Sequence, residues 1–138
     1  MNINKYPQFE LYLLTLRLLK LKNQIIPKNC DERGINATII NRAYFSSYSF
    51  CELCLEYEKN FKTIKPWEFK ENEEKISEHK QVRNALFQFG EKKMEEKLNK
   101  LAFLRKKADY EPFTDISQNE VDTAIKNMKL IFNQLKFN

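Results

Sequence analysis

A chain with two glycines and four prolines in 138 residues has little with which to break its backbone into short elements. Between those few breakpoints the apolar residues recur at spacings of three and four, as on the buried face of a helix. Strands would need alternation and frequent turns, and no strand–turn–strand pattern, internal repeat or heptad array is present. A small number of long helices is therefore expected. Eleven phenylalanines supply the bulk for a thick helical core.

The breakpoints divide the chain into five helices. Pro7 suits a first turn and opens a helix to about Asn23, with Leu11, Leu14, Leu18 and Leu21 as its stripe. A second helix runs from Asp31 to about Lys59 and would be roughly 40 Å long. Its inner positions are Ile39, Ala43, Phe50, Cys54 and Tyr57. Residues 60–75 hold Pro66, Trp67 and the charge cluster from Lys70 to Lys75, an irregular or mobile connection. Ser77 caps a third helix through Phe89, which Gly90 ends in a left-handed turn. A fourth runs from Lys92 to Asp109, and Pro112 closes it. Ser117 and Glu120 form a capping box for the fifth, whose stripe is Val121, Ala124, Met128, Ile131 and Leu135. The expected fold is all-α: an antiparallel bundle of four to five helices with one long central helix, a single domain over residues 1–138.

Composition narrows the function classes. A net charge of +5 tilts the chain mildly towards polyanions. Cys30, Cys51 and Cys54 lack the density of a disulfide scaffold. Cys51 and Cys54 make a mid-helix CxxC, read as core thiols, with metal or redox use as the alternative; a structural zinc site normally takes four ligands, and the only histidine is distant in sequence. There is no glycine-rich phosphate loop, no Ser-His-Asp order and no HExxH, so neither a metal nor a cofactor is expected. The start of the chain does not read as a signal peptide, and no apolar run is long enough to span a membrane. A cytoplasmic protein is the expectation.

The run Leu104-Arg105-Lys106-Lys107-Ala108-Asp109-Tyr110 is the densest in chemistry. Helical spacing sets Arg105 on the face of Met94, Leu98, Leu101 and Ala108, where a charged guanidinium needs a partner. One reading is a structural i,i+4 ion pair with Asp109. The other is an arginine that binds phosphate at the mouth of a helical cleft. His79 falls on the face of Val82, Leu86 and Phe89, either as a satisfied core-edge residue or as a group that transfers protons or touches phosphate. In the run from Arg42 to Tyr48, small residues at 43, 46 and 47 allow close approach of a neighbouring helix or of a second subunit. Any chemistry would rest on Arg, Tyr, a carboxylate and His79.

Asn41-Arg42-Ala43-Tyr44-Phe45, His79-Lys80-Gln81-Val82 and Leu101-x-x-Leu104-Arg105-x-x-Ala108-Asp109-Tyr110, on successive helices, resemble a HEPN domain of the branch whose last motif reads R-x-x-A-D-Y. The resemblance runs from about residue 8 to 135. It implies a helical bundle, usually a homodimer, from a toxin–antitoxin or defence module, often encoded beside a minimal nucleotidyltransferase that acts as antitoxin. Many members are metal-independent endoribonucleases whose Arg and His meet at the dimer cleft; others bind nucleotide or RNA without cleaving it. The motif arginine carries over to Arg105, whereas Asp109, followed by Tyr110, stands where active members have His. The catalytic candidates are thus Arg105, Asp109, Tyr110 and His79, and the nucleic-acid-binding candidates Arg105, Lys106 and Arg42. The expected function is binding of RNA or nucleotide phosphate with at most weak cleavage; the alternative is a non-catalytic helical dimerisation module.

Overall fold

The computed structural model describes residues 5–28 and 31–134; its regular elements are helices, with no strand among the described residues. Its elements are α1 (Pro7–Ile25), α2 (Arg33–Lys59), α3 (Glu78–Gln88), α4 (Lys92–Tyr110) and α5 (Gln118–Gln134), with a 3-10 turn at Pro66–Glu68. The 27-residue α2 is the central member and packs against each of the other four. Ile39, Ala43, Phe50 and Cys51 of α2 are fully buried, as are Leu98, Leu101 and Met128 of its neighbours.

The helix ends follow their local chemistry. Ser77 Oγ accepts the Lys80 N–H at 3.2 Å, and Gly90 takes a φ of +83° beyond α3. The Ser117–Glu120 box closes in both directions: Glu120 N–H donates to Ser117 Oγ, and Ser117 N–H to Glu120 Oε1. At the start of α2, the Asp31 carboxylate accepts the Arg33 N–H at 3.1 Å. Asp31 thus stands just outside the helix that periodicity began with it.

Three expected faces are corrected. In α1, Leu14 is half exposed, and the buried positions are Thr15 and Lys22. Leucines recur so densely there that several stripes compete, and aromatic stacking selects one. Phe9 stacks on Tyr12, Tyr12 on Phe132 at 4.5 Å, and Phe132 on Phe50 at 4.2 Å. Lys22 is drawn inward by Glu32 at 2.8 Å and by the Gln118 side chain. In α4 the core position is Leu104, and Arg105 lies beside it at the edge. Tyr57, in the last turns of α2, is exposed. Cys30 and Leu135 fall outside the described residues.

Cys51 and Cys54 are buried, and burial pushes both thiols up from their ordinary pKa. Ala43, Ser46 and Ser47 are buried within the chain itself, Ser46 lying 3.3 Å from Met128 Sδ; their smallness admits the helices packed on α2. No helix among the described residues is long and apolar enough to cross a membrane.

The connection between α2 and α3 is irregular but tethered. Gln81 accepts the Ile64 N–H at 2.7 Å and donates to the carbonyls of Ile64 and Ile76, both at 2.9 Å. Glu78 accepts from Thr63 at 3.0 Å and pairs with Lys65, which holds its carboxyl below the usual range. Trp67 is left 79% exposed.

Candidate functional site

Three helices contribute one wall each to an open groove of about 480 Å³. Tyr44 comes from α2, His79 and Arg83 from α3, and Asn99, Phe103, Arg105 and Lys106 from α4. Three of these side chains carry positive charge, and no carboxylate lines the walls among the described residues. One sign of charge on the walls focuses the field on an incoming anion.

Arg105 is held chiefly by aromatic faces. Its guanidinium lies 5.6 Å from the Tyr44 ring centroid, 5.1 Å from Phe45 and 5.3 Å from Tyr110. Nε sits 2.9 Å from Asp109 Oδ2 but makes no aligned hydrogen bond there, so that contact is one of charge rather than of a directed N–H. Asp109 Oδ2 also accepts from Asn41 Nδ2 at 3.0 Å. A terminal nitrogen of the guanidinium donates to Tyr110 Oη in a long hydrogen bond of 3.4 Å. Three rings thus surround the guanidinium, and Nε is buried without a hydrogen-bond partner among the described residues. The i,i+4 pair read from the sequence forms, and Arg105 lines the groove.

The Asp109 carboxylate is shared, through Oδ2, between Arg105 and Asn41. His79 is placed differently. Tyr44 Oη and His79 Nδ1 are hydrogen-bonded, and the imidazole stacks on Tyr48 at 4.0 Å with its plane 11° off parallel. Burial raises the Tyr44 pKa, against the pull of Arg83 and Arg105, so the phenol keeps its proton and donates it. Nδ1 is then the acceptor and Nε2 carries the ring proton. Burial first, then Arg105 and Arg83, lower the His79 pKa, with Glu78 opposing. His79 is neutral at pH 7.

That shift has a stability consequence of definite sign. Its folded pKa lies below the reference value near 6.5, so the unfolded chain binds the proton more readily. The stabilisation is complete above about 6.5 and is lost as pH falls through the folded pKa. The urea midpoint of the wild type should fall between pH 7 and 5 by more than that of His79→Phe, which keeps the stack and removes the titration. Equal slopes for the two proteins would place the imidazole in solvent.

Of the residues singled out from sequence, Arg105, Asp109, Tyr110, His79 and Lys106 converge on this region. Arg42 does not: it is exposed on α2 and lines no wall of the groove. Arg83, Phe103 and Asn99 were not singled out. Arg83 follows His79 by four residues on one helix, so its shared face was open to inference. Among the described residues no group of three or more His, Cys, Asp or Glu is arranged to hold a metal ion. No family model matches this chain, and no curated protein or solved structure matches it.

Proposed function

We propose that this chain is a HEPN-like protein of a toxin–antitoxin or defence module that binds the phosphate of RNA or of a nucleotide in the groove between α3 and α4. One observation carries the reading. Arg105 is surrounded by three aromatic rings, keeps a buried Nε without a hydrogen-bond partner, and lines a groove with Arg83 and Lys106 that has no carboxylate among its described lining residues. The planar fork of a guanidinium suits phosphate oxygens. The same reading brings a homodimer, a minimal nucleotidyltransferase as antitoxin and a cytoplasmic setting.

Binding is better supported than cleavage. Attack by a 2′-hydroxyl needs a base, a proton donor for the leaving oxygen and positive charge on the phosphate. Arg83 and Arg105 supply charge. Asp109 is engaged by Arg105 and Asn41, and His79 has Nδ1 occupied by Tyr44. The isolated protein is therefore a binder with weak metal-independent endoribonuclease activity at most, and any cleavage survives EDTA.

The test is the salt dependence of binding to single-stranded RNA. Affinity should fall as salt rises, through counterion release. Arg105→Ala should weaken it by roughly tenfold and reduce the salt slope by about one. Arg105→Lys should recover little, because an ammonium cannot reproduce the fork. Wild-type affinity in Arg105→Ala would remove this residue, and the proposal with it.

A further inference from the structure

Phe103 and Tyr110 are large aromatic side chains, each 64% exposed, on a helix whose core face is already filled by Leu98, Leu101 and Leu104. Seven residues apart, they share one face of α4, about 10.5 Å from each other along its axis. Lys106 lies between them on that face. Phe103 belongs to the groove wall, and the Tyr110 ring packs against the Arg105 guanidinium. Aromatic, cation, aromatic along one exposed stripe, beside two arginines, is the arrangement that tracks a nucleic-acid backbone and stacks its bases.

We infer that Phe103 and Tyr110 stack bases on either side of the phosphate held by Arg105 and Lys106, so that the ligand is a single strand of several nucleotides and not a free nucleotide. This rests on the phosphate-binding reading above and narrows its ligand. The spacing sets the length. Stacked bases rise by about 3.4 Å per step, so rings about 10.5 Å apart are about three steps from one another. A mononucleotide reaches one ring, whereas a strand of about four reaches both. Positive charge on the groove walls favours such a strand over an apolar protein face as the occupant.

The experiment is fluorescence anisotropy on the full chain with labelled single-stranded oligoadenylates of two, four and eight residues, with AMP and inorganic tripolyphosphate as competitors. Affinity should step up between the two- and four-residue strands. Phe103→Ala and Phe103→Leu should each weaken the eight-residue strand about tenfold, as expected for one lost stacked base. Phe103→Trp should stay within about twofold, since the larger ring still stacks. Competition by tripolyphosphate should be equal in wild type and Phe103→Ala, because phosphate contact does not use the ring. Full affinity in Phe103→Ala and Phe103→Leu, with loss in Arg105→Ala, would overturn stacking and leave phosphate binding intact. Full affinity in all three would overturn both. AMP competing as well as the eight-residue strand would overturn the assignment of ligand. A change from dimer to monomer in Phe103→Leu with affinity unchanged would give the ring to a protein interface and overturn it too.

Discussion

Tyr44→Ala should lower the stability of the folded chain by about 3–5 kcal/mol, the range for deleting a buried aromatic side chain. Tyr44 is 1% exposed and lines the groove against His79 and Arg105. Phe45 meets its ring edge-on at 5.3 Å, His79 stacks at 5.6 Å, and the Arg105 guanidinium lies over its face at 5.6 Å. Truncation leaves a cavity and an imidazole nitrogen without its donor. Tyr44→Phe separates the two losses. It keeps the ring and should cost only about 1 kcal/mol, while the His79 pKa rises because a donor that favoured the neutral ring has gone. The chain has one histidine, so the ring protons followed by NMR against pH report on it alone. A urea midpoint for Tyr44→Ala equal to that of the wild type would mean that the ring does not occupy this core position.

The second large effect is expected at Arg33, which is not among the residues lining the groove. Its guanidinium donates to the carbonyls of Thr114 at 2.8 Å, Glu111 at 2.7 Å and Ala108 at 3.3 Å. These are carbonyls at and beyond the C-terminus of α4, which that helix cannot satisfy itself. One turn on, Asn36 Nδ2 donates to the Ile116 carbonyl at 3.0 Å in a buried setting. The first turn of α2 thus fastens the whole connection between α4 and α5. Hydrogen bonds to a charged donor contribute about 1.5–3 kcal/mol each, and partial exposure discounts them here; Arg33→Ala should cost about 2–4 kcal/mol in all. Arg33→Lys should restore less than half, since one ammonium cannot span three carbonyls. Hydrogen exchange should accelerate first in residues 111–117 and in the last turn of α4. Protection there equal to wild type would show that the backbone holds this connection unaided.

What could be read in advance follows a physical line. The helices were legible because their ends are local chemistry: Ser77, Gly90 and the Ser117–Glu120 box act within three or four residues of themselves. Rotation of a helix about its axis was less legible where apolar residues are crowded. In α1, leucine spacing favours one stripe, and the stacking of Tyr12 on Phe132, 120 residues away, selects another. The site was legible to the extent that one helix carries it. Arg105, Asp109 and Tyr110 lie within a single stretch, and their i,i+4 pairing is geometry any helix imposes. The bond between Tyr44 and His79 joins residues 35 apart, so only packing of α3 on α2 reveals it. Arg42 went the other way: its motif neighbours face inward, and helical periodicity turns it out to solvent.

Gln81 holds the two ends of residues 65–75 with one amide, through the backbone of Ile64 on one side and of Ile76 on the other. The excursion between them is therefore a closed ring whose knot lies on α3, and its circumference is independent of how α2 and α3 pack. Closure entropy grows only slowly with ring size, so doubling the excursion adds about 0.6 kcal/mol. This is the place where the chain can gain or lose length, or accept an inserted peptide, without disturbing the helices that carry the groove.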